Sequence, residues 1–492
     1  MTPSPKGATP SLEPTRQRAI AGPWQRLAFA ALLLACFLYF NWDSVHMRFV
    51  EDDMMNMAGY WRPGPWYLVY SHFLIWRGQY RPMGGLFYVP MLQLFGLNPM
   101  PFQVLYLLLL VTNVYLVYRF ARVLGCAELT AGLAALIPCY HAGMSSLYYT
   151  LSNVYDVLCC LFYLGAFLYY ARIRQRGRMP GAGQLAVFFL LYLCALNSKE
   201  MAVTLPLVLV AYEWIYQAPP RWKTLLRWLR GPVRVALFAA ILAGIYVYGR
   251  ALGPEGLAAQ PSYRPLLSMH RVWEFQITAL NTLVSFWHPF GRPSVVIFWV
   301  VVWYLALRRP RPVLRFCCVF LMVTPLPVEF LTGRGEATLY LPLAGWAVFF
   351  SVIFVGAARA ISEFLAGEPL FGRFDRRTRF AGLIAAGICL WVWGNYNVKQ
   401  SSARISMARA GRVTEEVIQQ FRTLHPYVKP GSQVVFLDDP FEEFDMAFIA
   451  ELWFRDRSLS IRLHRKTPLS PQELAKADYL FTYTDGKLVQ IR

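Results

Sequence analysis

Three acidic residues in a row, Glu51-Asp52-Asp53, stand between the apolar pairs Phe49-Val50 and Met54-Met55. A carboxylate held in such a place can take a proton from a hydroxyl nucleophile. Asp52 and Asp53 together can also hold a divalent cation such as Mg or Mn. A solvated loop start is the plainer reading of three acids, but the apolar flanks favour at least one of them lying against a surface. Tyr80-Arg81-Pro82 follows. The guanidinium of Arg81 offers a planar fork of donors that suits phosphate, and an Arg beside a Tyr serves equally as an interfacial anchor. Asn153 and Asp156 open a later apolar run, where an unpaired acid is costly and marks a candidate site. His141 precedes them; a lone His fits a structural role as well. Asn197-Ser198-Lys199-Glu200 interrupts two apolar runs, either as a self-neutralising turn or with Lys199 facing an anionic ligand. Arg334-Gly335-Glu336 stands just before Leu339-Tyr340-Leu341-Pro342.

The elements that must position these residues are mostly apolar. Of 492 residues, 57% are hydrophobic and only 15% charged, whereas soluble domains carry roughly a quarter charged residues. Apolar spans are expected near 27–42, 103–121, 127–142, 151–171, 184–197, 201–217, 233–250, 294–307, 313–331, 338–358 and 380–394. A full crossing takes roughly 20 apolar residues, so the shorter ones are tilted or incomplete. The Leu33-Leu34-Ala35-Cys36 stretch has the form of a cleavage box, but the apolar run continues through Phe37-Leu38-Tyr39-Phe40, which favours an uncleaved first span. The net charge of +20 would fit a nucleic-acid partner, but its placement argues against one. Basic clusters at Arg172, Arg174, Arg176 and Arg178, then 221–234, 308–315 and 373–379, separate the apolar spans, as the positive-inside rule requires of cytoplasmic loops beside anionic lipid. Nearly all nine cysteines fall inside spans, which leaves no disulfide framework and no metal-ligand spacing.

The expected organisation is a disordered cytoplasmic N-terminus (1–22), an all-α transmembrane domain of about eleven helices (23–395) with an external aromatic loop (43–101), and a small external α/β domain (396–492). In the last, strands are expected near 434–437, 459–463, 478–483 and 487–491, with a helix near 444–454. All the candidate residues then gather on the external face of a multi-pass, bacterial-inner-membrane-type protein.

The order of these motifs resembles the GT-C superfamily of membrane glycosyltransferases, and most closely its protein O-mannosyltransferase-like and TMTC-type members. The residues that carry the likeness are Val50-Glu51-Asp52-Asp53, Tyr80-Arg81-Pro82, Leu94-Phe95-Gly96-Leu97-Asn98-Pro99, Ser152-Asn153 with Asp156, Ser198-Lys199-Glu200 with Pro206, and Glu336 with Leu339-Tyr340-Leu341-Pro342. The likeness covers about residues 27–360. It implies transfer of a sugar (hexosyl or pentosyl) from a polyprenyl-phosphate-linked donor to a protein, lipid or glycan acceptor at the external face. It also implies inversion at the anomeric carbon and a first-loop acid as general base. Asp52 is then the base, or Asp53 beside it, and Arg81, Lys199 and Arg334 meet the donor phosphate. Glu51, His141, Asn153, Asp156, Glu200, Glu336 and Tyr340 organise the site or orient the acceptor. Two departures stand out: an Arg common after the last-motif Glu is Ala337 here, and the helical-repeat tail of the TMTC-type members is replaced by the α/β domain. A lipid-linked-sugar transporter or flippase is the rival reading, although it would place charges near mid-bilayer in repeated or broken helices. A catalytically inactive envelope scaffold is the third.

Overall fold

The computed structural model describes residues 23–74, 81–217, 225–252, 264–284, 290–308, 311–331, 333–368, 371, 373–399 and 409–492. The segment expected to be disordered (1–22), Tyr80, and Arg221 and Lys223 of the second basic cluster lie outside the described residues.

Each expected span contains a helix: Pro23–Asn41, Pro99–Val123, Glu128–Leu136, Val154–Gln175, Ala182–Leu196, Leu205–Tyr212, Arg234–Leu252, Arg292–Arg308, Pro312–Val323, Tyr340–Phe364 and Arg376–Val398. Among the described residues, six helical stretches are long and apolar enough to cross a membrane, starting at Phe29, Pro99, Leu151, Pro312, Glu336 and Arg376. The others are too short to cross alone. The nine residues of Glu128–Leu136 reach only about 14 Å at 1.5 Å per residue, against an apolar layer of about 30 Å. The protein is an integral membrane protein with an all-α body.

Local chemistry sets the helix ends. Asn98 accepts a hydrogen bond from the Met100 amide (3.2 Å) ahead of Pro99, which starts the 25-residue Pro99–Val123 helix. Asp375 caps Arg376–Val398 by accepting from the Thr378 amide. Pro99–Val123 and Val154–Gln175 pack side by side, with Ala182–Leu196 against the latter and Tyr340–Phe364 across the bundle. Gly345 allows this last contact, because a Cβ there would stand 2.5 Å from the Phe320 ring. At the other end of Val154–Gln175, Arg174 is not a free member of the first basic cluster. It is buried and forms a two-point ion pair with Glu213 (2.7 and 2.9 Å), which also accepts from Tyr170 (2.8 Å). Satisfied on both sides, that charge is structural, and it leaves Arg172, Arg176 and Arg178 as the exposed cations of the loop.

The external loop folds into short helices, Glu51–Trp61, Pro65–Ser71 and Pro82–Phe95, that lead directly into Pro99–Val123. Beyond the bundle, β1 (Gln433–Phe436), β2 (Ser460–Leu463), β3 (Tyr479–Thr484) and β4 (Lys487–Gln490) form a sheet of order β2-β1-β3-β4. β1 runs parallel to β2 and β3, and β4 antiparallel to β3. The helix Asp445–Phe454 packs on this sheet and on Glu51–Trp61. The α/β part is therefore docked on the first-loop helix. Arg62 and Glu451 form a two-point ion pair (2.6 and 2.8 Å), Arg457 lies over the Trp61 ring and donates to its carbonyl (2.8 Å), and Arg455 and Arg422 donate to the Leu92 and Leu97 carbonyls. Lys399, just past the last bundle helix, pairs with Asp43 at 3.1 Å and closes the body at the same end.

Candidate active site

The three acids of the first loop begin the helix Glu51–Trp61, where the unpaired amides of a helix start favour negative charge. Successive residues on a helix point about 100° apart, and Asp52 and Asp53 therefore part company. Asp52 is exposed and, with Met55, Asn56 and Gly59, lines one side of a cavity of about 610 Å³. Those four positions are the i, i+3, i+4, i+7 stripe of the helix. Asp53 is fully buried on the opposite side; it accepts from the Val50 amide (3.0 Å), fixing the helix start, and from the Tyr88 hydroxyl (3.3 Å). Burial pushes its carboxyl up to about 7, against the pull of those two hydrogen bonds. With one carboxylate facing the cavity and the other committed inward, the two do not fit a shared divalent ion. No cluster of three or more His, Cys, Asp or Glu side chains suited to a metal occurs among the described residues.

A raised carboxyl favours the protonated folded state. Its stabilisation is complete below the ordinary carboxylate range and is lost as pH rises through about 7. Asp53→Asn keeps an acceptor for the Val50 amide and removes the titration. The variant should therefore melt later than the wild type at pH 8, with the gap closing near pH 4. The span corresponds to on the order of 4 kcal/mol. Thermal unfolding of both proteins across that pH range checks this, and parallel pH profiles would refute it.

The far wall of the cavity is made by Arg81, Ser152, Asn153, Tyr155, Asp156 and Lys199, and its rim by Gly333–Gly335 with Ala337 and Thr338. Arg81 has φ 52° and ψ 57°, a left-handed backbone that an L residue adopts at a cost of about 1–2 kcal/mol. The Tyr60 hydroxyl donates to its carbonyl (2.8 Å), and its guanidinium lies 5.2 Å over the Tyr155 ring. The guanidinium also donates to both oxygens of Glu200 (3.1 and 2.8 Å). Burial opposes charge on Glu200, but Arg81 and Lys199 together outweigh it and hold the carboxyl at about 2. Beside this pair, the Lys199 ammonium donates to both Asp156 oxygens (2.6 and 2.5 Å), and both side chains are over nine-tenths buried. Two adjacent acid–cation pairs thus back the cavity, with Asp52 across from them and Arg334 at the rim.

The remaining sequence candidates lie elsewhere or only nearby. His141 is buried, with Nε2 3.3 Å from the Leu283 carbonyl and its ring against Trp391; burial pushes the imidazole down to about 4. It does not line the cavity, and neither does Tyr340, which is buried inside the bundle. Glu336 starts the short 3-10 turn whose Ala337 and Thr338 do line it. Glu51 is exposed and faces the α/β part, where burial, and then the charges of Glu51 and Asp52, push Asp445 up to about 6. Sequence reasoning missed Asn56, Tyr60, Ser152, Tyr155 and the buried Arg250, which donates to the Ser71 carbonyl (2.7 Å). A signal for the tyrosines was present in Gly84-Gly85. A Cβ on Gly84 would stand 2.3 Å from the Tyr155 ring and 2.8 Å from the Tyr60 hydroxyl, so the glycines mark where two aromatic side chains press on the helix start.

No protein-family model matches the chain, and no curated protein does. Among solved structures it is similar to ArnT from Cupriavidus metallidurans bound to undecaprenyl phosphate, at 13% identity and a TM-score of 0.54, over 96% of this chain and 98% of that one. The apo state of the same protein gives 13% identity and 0.51, over 89% and 85%. The apo oligosaccharyltransferase of Archaeoglobus fulgidus gives 9% identity and 0.50, over 89% of this chain but only 64% of the longer enzyme. Spanning nearly the whole of both proteins in the first case, the likeness identifies the architecture: the chain has the fold of the GT-C membrane glycosyltransferases.

Proposed function

We propose that the protein is a glycosyltransferase that moves a sugar from a polyprenyl-phosphate-linked donor to an acceptor hydroxyl at the external face of the membrane, with inversion. The observation that carries this reading is the single cavity in which Asp52 faces Arg81, Lys199 and Arg334. Such transfer needs a base for a poor nucleophile and cations for a leaving phosphate, and both lie on opposite sides of one space. Asp52 takes the proton from the acceptor hydroxyl as its oxygen bonds to the anomeric carbon. The bond from that carbon to the phosphate oxygen breaks, and the electron pair leaves with the lipid phosphate. Arg81, Lys199 and Arg334 stabilise the departing charge, so no acid is needed to protonate it. Glu200 and Asp156 hold the first two cations in place, and Asn56, Asn153, Tyr60 and Tyr155 are placed to meet sugar hydroxyls.

The ArnT structure with undecaprenyl phosphate bound supports a lipid phosphate as the donor's carrier. The positive-inside pattern supports an external site with the N-terminus cytoplasmic. The acceptor class is open among protein, lipid and glycan. Mass spectrometry of lipid-linked sugars and envelope glycans in cells lacking the protein tests the function. One lipid-linked sugar should accumulate while one glycan loses that sugar, and an unchanged profile of both would refute transfer. Arg81→Ala should weaken donor binding on the order of tenfold to a hundredfold, as loss of a charge-assisted contact does. Donor titration by native mass spectrometry measures it, and unchanged affinity removes Arg81 from the phosphate.

A further inference from the structure

A second composite space lies at the other end of the same helices. An apolar groove of about 750 Å³ runs between Pro23–Asn41 and Pro99–Val123, lined by Phe29, Leu33, Phe37, Val111, Val114 and Leu129. Its wall is close-packed at one point, where Phe29 covers Gly132. The groove opens into a polar hollow of about 420 Å³ that includes Arg119, Arg122, Arg172 and Gln175. The two share Tyr115, Tyr118 and Glu128, which puts amphipathic rings at the boundary between apolar and charged parts. Three cations meet one acid there. Arg119 donates to the Tyr115 hydroxyl (2.7 Å), and Arg122 donates to the Cys126 carbonyl (2.8 Å) and lies 4.0 Å from Glu128. Arg172 is exposed.

We propose that this groove binds an anionic diacyl phospholipid, its chains along Phe29, Leu33 and Val111 and its phosphate at Arg119 and Arg172. Basic hollows between transmembrane helices, continuous with lipid-facing apolar surface, take anionic head groups. Position decides the source of the phosphate. Arg172 lies on the helix that begins beside Asp156, about 24 Å further along its axis. A polyprenyl phosphate seated at the cavity therefore has its head group at the opposite membrane surface. The occupant of this groove belongs to the resident lipid of the leaflet on the basic side, and the excess of arginine over acid selects an anionic head.

Native mass spectrometry of the purified full chain tests this with phosphatidylglycerol, phosphatidylethanolamine and a polyprenyl phosphate as probes. Phosphatidylglycerol should be retained in preference to phosphatidylethanolamine. Arg119→Gln with Arg172→Gln should weaken it about thirtyfold, toward the zwitterionic lipid, as loss of two near-surface cations implies. Ala30→Trp, which fills the groove from the first helix, should release both phospholipids and leave polyprenyl phosphate retention unchanged. Equal retention of the two phospholipids by the wild type, phosphatidylglycerol binding that both variants leave intact, or polyprenyl phosphate as the lipid they release would each overturn the proposal.

Discussion

Asp52→Asn abolishes sugar transfer while the protein still folds, inserts and binds donor. The expected loss is on the order of a hundredfold to ten-thousandfold in turnover, the usual contribution of a general base. Asp52 is exposed on the cavity side of its helix, so an amide of the same size disturbs no buried contact. Asp53→Asn is the matched control. It changes the neighbouring carboxylate to the same amide, and that side chain faces the Val50 amide and Tyr88 rather than the cavity. Transfer by Asp53→Asn should stay within a few fold of wild type at the same pH. Turnover measured with saturating lipid-linked sugar separates the two, because loss of a base lowers turnover and leaves donor affinity alone. Equal activities in Asp52→Asn and the wild type would remove Asp52 from the chemistry, and the reverse ranking of the two variants would move the base to Asp53.

The second large effect concerns Lys199 and Asp156. Either single truncation leaves an uncompensated charge in a buried place, and such losses typically reach about 3–5 kcal/mol. Asp156→Ala should therefore unfold well below the wild type in detergent. Replacing both partners, Asp156→Leu with Lys199→Met, removes the charges together, and much of that stability should return. Transfer should not return with it, because the ammonium no longer faces the donor phosphate. Thermal midpoints and turnover of the three variants distinguish the roles. If the double replacement regains both, the pair is structural only. If it regains neither, its hydrogen bonds hold more than each other.

The same pairs explain why the site was only partly legible. Lys199-Glu200 reads as a turn whose charges cancel locally, and their neutralisation is real. The partners, however, are Asp156 and Arg81, each contributed by another element. Sequence placed all five residues at span ends, where charges are tolerated, but pairing across the bundle depends on which helices pack together. His141 and Tyr340 were drawn in by proximity to span ends and by the motif around them. Both turn toward the packed interior, because side-chain direction depends on the local helix phase at the end of a span. Arg174 was counted among free loop cations for the same reason: nothing local announces that Glu213, one helix pair away, lies within reach.

The acidic triplet shows where the boundary falls. Composition and the run of apolar spans by themselves determined that this chain lives in a bilayer, since no water-soluble core could hold so much apolar surface. The order of motifs pointed to its architecture, and the strand pattern after residue 430 to the α/β part. Helical phase, had the first loop been read as a helix, would also have separated Asp52 from Asp53, because neighbours 100° apart cannot share a face. Which of the two faces is the cavity was decided only by tertiary structure. The α/β part packs on Glu51–Trp61 through Arg62, Arg457 and Asp445–Phe454, while Tyr88 meets Asp53 from the helix Pro82–Phe95. Those long-range contacts cover one side of the helix, leave Asp52 open toward Arg81 and Lys199, and so turn three acids in a row into one candidate base.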